Sequence, residues 1–66
     1  NENRAPGLGL AFVQEVEAAV SRACAFPLVW QVLEGEIRRA LVNRYPFGVL
    51  YAAEPDRLYI VAVMHL

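Results

Sequence analysis

Arg44 and His65 stand at the two ends of "RYPFGVLYAAEPDRLYIVAVMH", two apolar runs around a short polar tip. An arginine fork suits a carboxylate or a phosphate. An imidazole titrates near neutral pH and can pass a proton. The two residues could serve as a catalytic pair, as part of a binding surface, or as the ends of a hairpin that only needs a core. Each has a plain alternative: a solvated or carboxylate-paired side chain for Arg44, a structural hydrogen bond for His65. A proton-transferring His65 would need a partner that the sequence does not reveal. Arg38 and Arg39 are adjacent, so on a strand they point to opposite faces and one of them meets solvent. All six basic residues are Arg, with no Lys, a usage that GC-rich coding also produces. The single Cys24 cannot form an internal disulfide. It has no Cys or His cluster near it to make a metal site. It reads as a small buried hydrophobe.

These residues need elements to hold them. From Leu8 onward, Phe12, Val16, Ala19, Val20 and Ala23 recur at spacings of three and four, which predicts one amphipathic helix over 8–25. Pro27 stops it. Residues 1–7, punctuated by Pro6 and Gly7, read as a flexible lead-in. The run "FPLVWQVLEG" at 26–35 is either a short strand or a packed connector, with Gly35 marking a turn. Strands follow at 36–44, where a helix is the alternative, and at 47–53 and 57–65, the last two joined by "EPDR", whose Pro55 presets a turn. The last strand is nearly continuous in apolar residues, which implies burial on both faces or an edge that needs cover. The predicted fold class is α+β, one helix packed on an antiparallel three-stranded β-meander, in a single domain.

Composition narrows the function classes. A chain of 66 residues hides only about 60% of the surface exposed when it unfolds. Its hydrophobic fraction of 58% exceeds the usual share of about 45–50%, so a partner or a second copy is expected to cover the surplus. A net charge of −1 argues against strong unspecific binding to nucleic acid. No apolar run reaches the 18 or so residues that span a membrane. No cofactor motif is present. The lack of a disulfide fits a reducing cytoplasm.

"PGLGLAFVQEVEAAV" followed by "IRRALVNRYPFGVLYAAEPDRLYIVAVMH" resembles the RelE/ParE superfamily of type II toxin–antitoxin toxins, the ParE branch above all. That family has a "PGLG" segment opening a helix with an F-x-x-E-V-E pattern, here Pro6 to Gly9 and Phe12 with Glu15 to Glu17. It has an Ile/Val-Arg strand, here Ile37-Arg38, then an Arg before an aromatic-Pro-aromatic turn, here Arg44 with Tyr45-Pro46-Phe47. A strand with Val49 to Tyr51 and a closing Val63 to His65 complete the match. No single piece is specific; the order and spacing over residues 5–65 carry the resemblance. Family members begin with a further strand and helix and continue past the histidine with a basic tail. The resemblance therefore implies a toxin core shortened at both ends.

The resemblance implies two chemistries. RelE-like members cut mRNA on the ribosome with basic side chains and a general acid and base; the candidates here are Arg38, Arg39, Arg44, Tyr51 and His65. ParE-like members inhibit DNA gyrase by binding it and are neutralised by an antitoxin peptide. Arg38, Arg39, Arg44 and Trp30 are then the expected contacts with target or antitoxin. Without lysine and with a net negative charge, an RNA-cleaving surface is under-equipped, so a ParE-like binding protein is favoured over an enzyme. A non-toxic remnant that persists as a self-associating small domain is the main competitor. In each case the expectation is a bacterial, cytoplasmic, homo-oligomeric chain, of the kind carried on mobile elements.

Overall fold

The computed structural model describes residues 6–66. Helix α1 (Pro6–Ala25) turns Ala19 and Ala23 toward the sheet, where both are completely buried. Without bulk at those positions the helix axis sits close to the strands. Phe12, at one end of the same stripe, meets the rings of Tyr45 and Phe47 edge-on at 5.2 and 5.0 Å. Val16 and Val20 fill the flanks. The helix starts at Pro6, so Pro6 and Gly7 lie in its first turn and not in a lead-in. Proline fits that turn because its missing N–H has no helical acceptor there. The rest of the expected lead-in, residues 1–5, lies outside the described residues.

The sheet has four antiparallel strands in the order β1 (Val32–Glu34), β2 (Ile37–Leu41), β3 (Phe47–Glu54) and β4 (Arg57–His65). The predicted meander is present with one more strand. β1 comes from the ambiguous segment 26–35, which holds both a turn and a short exposed strand. Gly35, at φ 55°, makes the reversal into β2, a left-handed position that suits a residue without Cβ.

β2 stops at Leu41, short of the expected 44. Arg44 adopts φ 73° and Pro46 has no N–H to donate, so residues 43–46 form a turn closed by Val42 N–H donating to Phe47 O at 2.9 Å. β3 and β4 pair from Phe47↔His65 to Glu54↔Arg57 with a bulge between Leu50 and Tyr51.

α1 packs on β2 and β3. The core is Ala19, Ala23, Ala40, Val42, Val49 and Tyr51. Odd-numbered β3 residues face the helix and even-numbered ones face away, as the pleat requires. Cys24 is exposed, against the buried position expected for it. One helical residue advances the direction by about 100°, so Ala23 faces the sheet and Cys24 turns onto the flank. There it lines a shallow cleft of about 250 Å³ with Pro27, Pro55 and Leu58. Among the described residues, no helix is long and apolar enough to cross a membrane.

Candidate protein-binding face

The residues with chemical potential fall into two groups. Arg38 and Tyr51 are cross-strand partners on the helix side of the sheet. The Arg38 guanidinium donates to Trp30 O at 2.7 Å and Leu28 O at 3.4 Å. The fully buried Tyr51 hydroxyl donates to Pro27 O at 2.6 Å. Together they anchor the chain between α1 and β1, satisfying carbonyls that no regular ladder serves. Burial pushes the Tyr51 phenol above its ordinary value of 10.0, and the Arg38 charge partly opposes the shift. Trp30 is half-buried and packs on the core, so its side chain also belongs to this anchor.

The second group sits at the other end of β3. Arg44 approaches Glu15 of α1 at 3.7 Å with most of its side chain in solvent, and its guanidinium lies 5.9 Å from the Tyr45 ring centroid. His65 Nδ1 lies 2.9 Å from Leu66 O, and its ring meets Phe47 edge-on at 4.8 Å. Phe47, the strand partner of His65, and Tyr51 are four residues apart on β3, about 13 Å along a strand. The structure thus brings Arg38 to Tyr51, and Arg44 and His65 to one end of the sheet. It does not bring Tyr51 to His65. Among the described residues no His, Cys, Asp and Glu cluster has the makings of a metal site.

Arg39 stands apart from both groups. Its cross-strand partner is Leu50, on the sheet face opposite α1, which no helix covers among the described residues. The pairs Ile37↔Ala52, Leu41↔Gly48, Gly48↔Met64, Leu50↔Ala62 and Ala52↔Tyr59 extend that face across three strands. It is apolar with Arg39 near its middle; Glu54 and Arg57 stand at the hairpin end. Gly48 makes the Arg39 position possible. A Cβ at residue 48 would fall 2.7 Å from Arg39 Cγ and 2.9 Å from Cδ, so the arginine stem lies flat over the glycine backbone. The stem covers apolar surface, and the residue as a whole stays partly exposed. Among the described residues no carboxylate pairs with Arg39.

Sequence reasoning named Arg39 but could not say which of the adjacent arginines faces out. It missed Gly48 and the open face around it. The available signal was a glycine inside a strand pattern, which marks a close approach.

Compared with known family models, curated proteins and solved structures, the chain matches none.

Proposed function

We propose that this chain is a ParE-like toxin component of a bacterial type II toxin–antitoxin system, acting in the cytoplasm by binding a protein target of the gyrase type. An antitoxin peptide neutralises it. The family reading rests on the ordered residues from Pro6 to His65 described above. The choice of binding over catalysis rests on one observation: Arg38 and Tyr51 are spent on backbone carbonyls about 13 Å along the sheet from His65. General acid–base catalysis needs its groups within hydrogen-bond reach of one reacting site. The open face centred on Arg39 supplies what a protein interface uses, an apolar field with an arginine fork inside it.

The test compares two targets. Purified protein added to a gyrase supercoiling reaction is expected to inhibit it. Added to translating ribosomes, it is expected to leave mRNA ends unchanged. Defined cuts in the decoding site, lost in His65→Ala, would support a RelE-like ribonuclease instead.

A second reading has its own observation. Ile60, Val61 and Val63 of β4 keep 45, 56 and 43% of their surface exposed, on a strand with no neighbour on its outer side among the described residues. That edge suits a self-associating domain, whether or not the chain retains toxicity. Sedimentation equilibrium at micromolar concentration, where this reading expects an oligomer, tests it.

A further inference from the structure

We infer that β4 pairs antiparallel with β4 of a second copy, in the one register that sets Ile60 of each copy opposite Val63 of the other. The inference rests on the self-association reading and names its interface. Two backbone bonds fix which groups point outward. Val42 N–H donates to Phe47 O on the β2 side, and Leu66 N–H donates to Pro46 O at 2.8 Å on the β4 side. Antiparallel ladders alternate, so odd β3 residues bond to β2 and even ones to β4. On β4, residues 57, 59, 62, 64 and 66 therefore aim their N–H and C=O at β3. Leu58, Ile60, Val63 and His65 aim theirs at the free edge, with the bulge between Ile60 and Ala62.

The outward spacing is two, three, two. Read backward it is the same, so the edge is complementary to itself about a two-fold axis between Val61 and Ala62. An ordinary partner strand would lose its ladder at the bulge; a second copy carries the same bulge at the same distance from the axis. In this register Leu58 meets His65, Ile60 meets Val63, and Arg57 meets Leu66. A slip by one residue would set Arg57 against His65 and break the outward match. Between Arg57 and His65 the strand has no charge and no proline, so of the usual devices that block an edge it carries only the bulge, which the second copy matches.

The four outward residues carry side chains on the helix side, because their β3 partners Ala53, Tyr51, Val49 and Phe47 do. A two-fold antiparallel pair would place both helices on that side of one eight-stranded sheet. Ile60 and Val63 of both copies would floor the trough between the helices. A stable pair needs roughly 500 Å² from each copy, about a ninth of the 4485 Å² that the chain exposes. The open faces with Arg39 would join on the opposite side and stay free for a partner.

Sedimentation equilibrium of the 66-residue chain over micromolar to millimolar concentration, with isotope-filtered NMR on mixed labelled and unlabelled copies, tests this. The expected result is a dimer with intermolecular contacts from Ile60 to Val63, and slow amide exchange at Leu58, Ile60 and Val63. Val63→Lys is expected to weaken the dimer at least tenfold while circular dichroism stays unchanged. If that variant fails to fold, Val63→Thr and the wild-type contacts serve in its place. A dimer without the Ile60 to Val63 contact overturns the β4 pairing and leaves self-association standing. A monomer throughout overturns both.

Discussion

β3 and β4 are cross-strand partners along eight positions, yet they live in different surroundings. Val49 and Tyr51 are 0% exposed, while the residues opposite them, Val63 and Ile60, keep 43% and 45%. The chemical types hardly differ. What differs is the layer above: α1 packs on β2 and β3, and its alanines bring it close enough to seal them. β4 lies beyond that cover. Stability should therefore concentrate in β3 and its helix-side contacts, and recognition in β4 and the open face. A side chain of a given size should cost much more to remove from the first region than from the second.

Tyr51→Ala gives the largest expected effect. It empties the centre of the core and orphans Pro27 O, for a loss of about 4 kcal/mol. Small domains have few kcal/mol to spare, so urea titration should find this variant largely unfolded. Phe12→Ala, which removes two aromatic edge contacts, should cost about 3 kcal/mol. Ile60→Ala, the open partner of Tyr51, should cost about 1 kcal/mol in the monomer. Equal losses at residues 51 and 60 would break the comparison.

Tyr51→Phe sharpens it by keeping the ring and removing one hydrogen bond, at about 1 kcal/mol. It also removes a titration. The folded chain holds the phenol proton above the ordinary 10.0, where the unfolded chain has begun to release it. Stability from this group is full below pH 10 and falls as pH rises through the raised folded value. Thermal melts from pH 8 to 11 should show a steeper alkaline loss for the wild type than for Tyr51→Phe. Parallel profiles would place the alkaline loss elsewhere.

Gly48→Ala probes the open face and should be milder still. The added methyl meets the Arg39 stem, which can move, so the loss should stay near 1 kcal/mol or below. Combined with Arg39→Ala, the penalty should shrink, because the two sites share one contact. Strict additivity in that cycle would mean the stem does not lie over Gly48. The smallest change is Arg44→Gly. It relieves a left-handed backbone position at Arg44 (φ 73°) and gives up a long ion pair with Glu15 and a distant approach to the Tyr45 ring, both of small worth for a solvent-facing arginine, so stability should rise by a few tenths of a kcal/mol, about 1 at most.

The two regions also differ in how legible they were in the sequence. α1 showed itself through apolar spacings of three and four, and β4 through an unbroken apolar run bounded by the Pro55 turn. That run left two readings open, burial on both faces or an uncovered edge, and only the placement of α1 decides between them. β1 was ambiguous because "LVWQVLEG" has no period of two and its strand is three residues long. The left-handed Arg44 left no trace, since arginine carries no preference for that conformation. Cys24 was misplaced by one helical step. Arg38 and Arg39 were legible as a pair with opposite fates, but pairing of Arg38 with Tyr51 was needed to assign them. Tertiary contact, and not local propensity, made each of these choices.

The proposed role puts recognition on the open face and assigns no part to proton transfer. Induced expression in bacterial cells, scored as growth arrest for the wild type, Arg39→Glu, Tyr51→Phe and His65→Ala at matched protein levels, tests it most directly. Arrest by the wild type, Tyr51→Phe and His65→Ala, with loss in Arg39→Glu, is the predicted result. Arrest that survives Arg39→Glu and disappears in Tyr51→Phe or His65→Ala, or no arrest by the wild type, would contradict it.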